Sequence, residues 1–548
     1  MPPTCCLLAG LTTTLTGLLL AAPSAAGGSF PLGRQRWGVN VHFNWRQCCR
    51  DTCANHSRCD MHAAADMPML APAFGSARMD LSWSHVERER GVYDWEGSGY
   101  QSYVQQLLEA EVVPYMILSY GNSLYDNACP PADKHDGTCP PTTDAGREGF
   151  ANFTLAAMRK FQGRGIIWEI WNEPDGGTWL PHTIPPGQDY AKLVLAVGAA
   201  RDAAGLRDEL LIGPATSGVD MAFIDTVGRA GCFAFLDGLS VHPYRSGGPE
   251  SVLESWDQLN VLIDKYYVPA SANATRRPKL VSGEWGWASC ADGQGRAVSC
   301  TSGGGVGMAV TRSEQAARLV RQRYINDLAG VAHSIYYDWQ DDGPDAFPSL
   351  DSEFNFGTTL ASSSEANGSS FVGRPKPAYT AALASSRILG NCSFDERLSS
   401  SSPGSFALAY ACPGSAVGSA VTRSRTQTLH TAGLRAADGR GAAVAAAAAA
   451  AVVGVSSGAD VLVLAVWDPT LYNSSAVDGA VSPGKMSTVT VPPSEAGRCF
   501  DALDMHGDRV TKQQRICAAK DAKLSIELQS APQYLIPVAT AGGGKGHL

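Results

Sequence analysis

The sequence predicts an α/β chain, a (β/α)8 TIM barrel followed by a small all-β, β-sandwich-like domain. Three observations predict it. Between Arg36 and Leu389, short apolar runs that read as buried strands alternate with longer stretches of helical periodicity. The strand-like runs number eight, the count that closes a parallel barrel. Beyond about Gly390 the helical stretches stop, and short strand-like runs separated by turn residues take over.

The strand-like runs are 36–43, 77–83, 112–120, 165–173, 210–216, 236–244, 279–287 and 333–339. Helical stretches fill 100–111, 148–162, 189–205 and 313–330, the last with Ser313 as its N-cap, and 375–389 closes the barrel. Long irregular segments follow the first, third, seventh and eighth runs, at 44–66, 120–147, 287–312 and 340–370. In a barrel these are βα loops on the C-terminal face, where active sites are built. The second domain shows runs at 406–412, 460–468, 486–492, 499–510 and 523–538. The expected organisation is a signal peptide over 1–26, the barrel over 27–390, the β domain over 391–540 and a disordered tail over 541–548. The alanine-rich tract 442–451 is too short and too weakly apolar to span a bilayer and reads as a loop or a frayed helix.

A net charge of −9 argues against nucleic acid as a partner, because such binders carry a basic footprint. The apolar segment from Cys5 to Ala22, followed by Ser24, Ala25 and Ala26, reads as a cleaved secretory signal, although no Lys or Arg precedes it. The mature chain would then be secreted, with no stable membrane insertion. Cysteine usage agrees. Cys129 and Cys139, Cys290 and Cys300, Cys392 and Cys412, and Cys499 and Cys517 form close pairs that read as disulfides, and Cys232 is left over. Cys48, Cys49, Cys53 and Cys59 cluster; a zinc site is the rival reading, but no matching His/Cys motif accompanies them. N-x-S/T sequons at Asn55, Asn152, Asn273, Asn367, Asn391 and Asn473 fit a glycosylated surface.

The polar residues collect at strand ends. The fourth run, "GIIWEIWNE", ends in Asn172 and Glu173, and the seventh ends near Glu284. The second carries Arg78 and Asp80, the sixth ends in His242 and Tyr244, and the eighth in Trp339. A carboxylate is costly inside a buried strand, so Glu173 at a strand exit before Pro174 marks the start of a cleft. Two carboxylates across a barrel mouth, with tryptophans nearby, are what glycoside hydrolysis by two acids needs. Glu169, nearer the middle of its strand, is expected to pair inside the barrel rather than react. Trp171 is expected to face the helices, and Trp95, Trp168 and Trp467 to be core.

"WNEPD" at run four, "SVHPYR" at run six, "SGEWGW" at run seven and "YDW" at run eight resemble the retaining (β/α)8 glycoside hydrolases of clan A. "ARMDLSWSHVERERGVYDW" resembles the clan's second-strand region, and "FNFG" followed by "PKPAY" its last barrel segment. The ordered set covers about residues 36–389 and is most similar to the β-xylosidase/α-iduronidase family, then to the cellulase/mannanase family. The resemblance implies a glycosidase that cleaves β-linked glycans or glycosides by double displacement. Glu173 would be the acid/base, its pKa raised by desolvation and a neighbouring carboxylate, and Glu284 the nucleophile. Asn172 would bind the 2-hydroxyl of the sugar. Arg78 and Tyr244 would hold Glu284 charged, His242 would line the cleft, and Trp285 and Trp339 would offer faces to sugar rings. No metal and no cofactor is implied; the partner is a carbohydrate. A transglycosylase or a carbohydrate-binding pseudoenzyme would share the fold.

Overall fold

A computed structural model describes residues 28–42, 66–125, 139–176, 178–179, 185–267, 276–290, 298, 300–301, 309–341, 350–360, 374–413, 460–471, 484–510 and 515–538. Eight parallel strands close a barrel in sequence order: β1 Trp37–Asn40, β2 Ser76–Ser82, β3 Val113–Ser119, β4 Ile167–Ile170, β5 Leu210–Ser217, β6 Gly238–His242, β7 Lys279–Ser282 and β8 His333–Tyr336. Each of the eight expected runs overlaps its strand; β2 begins one residue before its run and β5 ends one residue after its own. The other six strands are shorter than their runs, mostly because the last residues leave the ladder to form the mouth. Val113, Tyr115, Ile167, Ile212, Val281 and Ile335 fill the interior, as bulky side chains do in such barrels.

The helices are α1 Met67–Ala73, α2 Trp83–Val86, α3 Tyr100–Glu109, α4 Asp144–Lys160, α5 Gln188–Ala203, α6 Met221–Arg229, α7 Leu253–Tyr266, α8 Arg312–Leu328 and α9 Pro377–Leu389. The sequence reading missed α1, α2, α6 and α7. It also misplaced one cap: Thr311, not Ser313, caps α8, its hydroxyl accepting the Glu314 amide at 3.1 Å. Among the described residues no helix is long and apolar enough to cross a membrane. The expected signal segment, the four-cysteine cluster, Cys129, the alanine-rich tract and the tail lie outside the described residues.

The C-terminal part is sandwich-like. A six-stranded sheet of order β14-β13-β16-β11-β10-β9 faces a β12–β15 pair. Its strands are β9 Ser393–Arg397, β10 Phe406–Pro413, β11 Asp460–Trp467, β13 Cys499–Leu503, β14 Ile516–Cys517 and β16 Gln533–Pro537; the pair is β12 Lys485–Thr490 and β15 Lys523–Leu528. The run 523–538 is thus two strands, and β9 was not expected. Alternation along β10 explains why this domain docks. Ala407 and Ala409 join Leu464, Val489, Leu524 and Ile526 between the sheets, whereas Leu408 and Tyr410 belong to the apolar cluster shared with the barrel. Hydrogen bonds pin the contact to α8 and to the segment after β6. Tyr324 and Tyr534 hydroxyls meet at 2.7 Å, the Tyr410 hydroxyl donates to Asp327 at 3.2 Å, and Trp467 Nε1 donates to Glu250 at 2.8 Å. Disulfides join Cys290–Cys300, Cys392–Cys412 and Cys499–Cys517, and Cys232 is free and buried.

Candidate active site

The site is built upward from the barrel's upper layer. Gly283 follows β7, and a Cβ there would lie 2.4 Å from Ser240 Oγ. Its absence leaves room for a buried polar cluster. Glu169 of β4 is fully buried and accepts from Tyr115 and Ser240 hydroxyls, both at 2.6 Å, on Oε1. Its Oε2 takes Arg78 Nε at 2.9 Å and Nη2 at 2.8 Å. Glu169 is thus the internal ion-pair partner that the sequence suggested.

Arg78 is 1% exposed, and all its donors are engaged. Besides Glu169, Nη1 reaches Asn40 Oδ1 at 3.1 Å and Glu284 Oε2 at 2.7 Å, while Nη2 reaches Asn172 Oδ1 at 2.7 Å and His242 Nε2 at 3.2 Å. One guanidinium fork therefore organises β1, β2, β4, β6 and the exit of β7. Because Asn172 Oδ1 faces a donor, its amide nitrogen is the group left for another partner. Glu284 also accepts the Tyr244 hydroxyl on Oε1 at 2.8 Å. Burial and the Glu284 charge raise the Tyr244 pKa well above the usual phenol range, so it remains a donor.

His242 is fully buried, with Nδ1 2.8 Å from Glu173 Oε1. Burial opposes a charge on the ring, but the Glu284 and Glu173 carboxylates outweigh it and lift its pKa. The contact with Arg78 pulls the other way, since a guanidinium only donates and a protonated ring would set donor against donor. The hydrogen-bond geometry decides for a neutral ring whose Nε2 accepts from Arg78 and whose Nδ1–H donates to Glu173. Glu173 is then held below the ordinary carboxylate range. Burial pushes it up, but the hydrogen bond from His242 and the positive charge of Arg78 prevail. This corrects the expectation of a raised pKa: the neighbour that counts is a donor, not the second carboxylate.

Glu173 and Glu284 face each other across this network. Ligand atoms of Glu173, His242 and Glu284 all lie within 4.8 Å of one another. Such a set could hold a cation, but Arg78 already places a fixed positive charge on Glu284 and competes with one. Left-handed backbone concentrates here: Trp171 has φ 67°, Glu173 φ 48° and Ala215 φ 55°, and the Glu173 amide donates to Ala215 O at 2.9 Å. Residues 169, 171 and 173 share one parity, so strict alternation would turn Trp171 inward. The left-handed turn instead packs it against Phe150 and Trp179, towards the helices as expected.

Two expected platform residues are elsewhere. Trp285 is fully buried, with its ring against Trp287 and Arg245. Trp339 is fully buried too: Nε1 donates to Asp66 at 3.1 Å, and Phe74 and Tyr379 pack edgewise on it. Neither indole has a face for a sugar. Each lies three residues beyond its strand's end, where alternation no longer forecasts direction. The aromatic groups at the mouth are Tyr120, half-buried beside Trp171, and Tyr337, whose hydroxyl lies 3.3 Å from His42 Nε2. The sequence reading missed Asn40, His42, Tyr120 and Tyr337. Inward parity from Gly38 and from Ile335 would have found the first two and Tyr337.

The chain matches no protein-family model and no curated protein. Among solved structures, a family 39 glycoside hydrolase from the gut symbiont Bacteroides cellulosilyticus WH2 is similar with a TM-score of 0.60 and 21% identity, over 92% of this chain and 81% of that one. A family 30 endoxylanase from Clostridium papyrosolvens C71 gives 0.47 and 8%, over 93% and 98%. A family 39 β-xylosidase from Caulobacter crescentus gives 0.42 and 16%, over 71% and 80%. At 21% identity the first likeness is one of fold: this chain has the barrel-based fold of that hydrolase.

Proposed function

We propose that this protein is a secreted retaining glycoside hydrolase acting on β-linked or similarly equatorial glycans. One observation carries the reading. Oxygens of Glu173 and Glu284 come within 4.8 Å of each other across the barrel mouth, near the spacing of about 5–5.5 Å for double displacement and short of the 6.5–9.5 Å that leaves room for water in an inverting enzyme. In the first step Glu284 attacks the anomeric carbon while protonated Glu173 gives its proton to the departing oxygen. In the second, Glu173 takes a proton from water, which releases the sugar from Glu284 with its configuration retained. Arg78 and Tyr244 orient Glu284, and the free amide of Asn172 is available to the 2-hydroxyl. The depressed pKa of Glu173 places the working range at acid pH. Export is supported by the apolar N-terminal segment and by the three disulfides among the described residues; the exposed Asn152 and Asn391 are open to glycosylation.

The test is a panel of aryl xylosides, glucosides, mannosides and galactosides, with product configuration read by NMR at early times. Retention is expected. Glu284→Ala should lose hydrolysis and, with azide, give the glycosyl azide of inverted configuration. Inverted product from the unmodified enzyme, or full turnover in Glu284→Ala, would overturn the proposal.

A further inference from the structure

A third carboxylate shares the mouth, and the mechanism does not use it. Asp80 lies two residues beyond Arg78 on β2, on the same face, so it stands one layer above the Arg78–Glu169 pair. It is half-buried. Its Oδ1 accepts the Ser119 hydroxyl at 3.2 Å, and no other hydrogen bond reaches the carboxylate from the described residues. Its surroundings are those of the reacting groups. His42 of the β1 exit, Arg78 of β2 and Glu284 of the β7 exit act on it electrostatically. Tyr120, at the β3 exit, senses Asp80, Arg78, Glu284 and Glu173 together. Asp80 is therefore an acceptor with spare capacity beside the nucleophile, on the glycone side of the reaction. Arg78, the cation beneath it, has every donor engaged, so it cannot turn to neutralise a charged ligand.

Resting on the glycosidase reading above, we infer that Asp80 is a specificity residue that accepts a hydroxyl of the glycone ring and restricts that ring to neutral sugars, excluding uronic acids. A hydroxyl donor satisfies the open carboxylate. A C6 carboxylate would bring a like charge into a partly desolvated site, an arrangement that discriminates by repulsion.

The experiment compares kcat/KM for 4-nitrophenyl β-xyloside, β-glucoside and β-galactoside with the β-glucuronide and β-galacturonide, in the unmodified enzyme and in Asp80→Asn. The unmodified enzyme should prefer a neutral glycoside over its uronide by about 100-fold or more. Asp80→Asn keeps the shape but not the charge and should narrow that ratio at least about tenfold. The ratio also has a pH signature that a structural role would lack. Burial raises the Asp80 pKa against the pull of His42 and Arg78, so as pH rises through its titration, above the ordinary carboxylate range, the unmodified enzyme should discriminate more strongly, and the variant should not. This trend decides the matter even if the variant folds poorly. Equal or better turnover of the uronide, or a flat ratio in the unmodified enzyme, would overturn the inference. Should no glycoside be hydrolysed, which counts against the proposed function alone, calorimetric binding of gluconolactam against its 6-carboxylate counterpart makes the same comparison. Equal affinity there would sink the role of Asp80.

Discussion

Replacing His242 with Phe tests the protonation logic of the site. The imidazole donates Nδ1–H to Glu173 at 2.8 Å and is fully buried, so the bond forms away from water. A hydrogen bond to a charged group is worth about 1.5–3 kcal/mol, and one pKa unit corresponds to about 1.4 kcal/mol. Its loss should therefore raise the Glu173 pKa by about one to two units. Phenylalanine is somewhat larger than His, and Arg78 Nη2 keeps Asn172 but loses the acceptor that His242 Nε2 provides, a loss that a thermal melt of the variant reads separately. The sign follows from the chemistry. Glu173 must be protonated to act as the acid, so activity is present below its pKa and is lost as pH rises through it. Because that pKa is depressed in the unmodified protein, the alkaline limb of kcat/KM should lie at acid pH and move upward by about one to two units in His242→Phe. The assay is kcat/KM against pH with a poor leaving group, an alkyl glycoside or a disaccharide, for which protonation is needed. His242→Gln, which can accept from Arg78 and donate to Glu173, should shift the limb much less. An unmoved or lowered limb in His242→Phe would refute the tautomer and the role assigned to it.

Tyr244→Phe removes the hydroxyl that donates to Glu284 at 2.8 Å and should lower kcat by about 10–100-fold with little change in melting temperature, as kinetics and a thermal melt would show. Gly283→Ala forces a Cβ to 2.4 Å from Ser240 Oγ; it should cost about 1–3 kcal/mol in denaturant unfolding and reduce activity by displacing Glu284. Trp339→Phe should lower the melting temperature through loss of the bond to Asp66 and of packing, and should leave KM within about threefold; a large KM effect would return Trp339 to the sugar site.

How much could be read from the sequence depends on where each residue sits relative to the end of its strand. Within the strands, period-2 alternation and apolar runs found all eight barrel members and put Glu169 and Arg78 inside. At the exits, residue identity did the work: Asn172, Glu173, His242, Tyr244 and Glu284 converge on one network. Past the exits both guides fail. Trp285 and Trp339 turn into the core because neighbouring loops supply packing partners that no local pattern reveals. The helix α6 was missed because it is only nine residues long; α7, at 14 residues and preceded by Pro243, Gly247, Gly248 and Pro249, carried a readable signal that the reading overlooked. The pKa of Glu173 was misjudged for a related reason. The sequence shows a second carboxylate but not that a histidine donor, fixed by an arginine from the opposite side of the barrel, stands between the two.

On the proposed mechanism Arg78 must serve Glu284 as nucleophile without disabling it. A lone guanidinium on Glu284 would hold the carboxylate ionised, but it would also draw its electron density into a tight pair. Here Glu169, fully buried and bonded to two Arg78 nitrogens, already compensates the cation. The desolvation cost of burying Arg78 is offset chiefly by that inner pair. The bond to Glu284 is short and directional, and Arg78 shares its charge between Glu169 and Glu284. Tyr244 adds a second, neutral donor on the other oxygen. The carboxylate is thus fixed at both oxygens, which orients it for the attack on an electron-poor anomeric carbon that the proposed mechanism requires. On that mechanism Glu169 acts only through Arg78, which makes it a positioning residue.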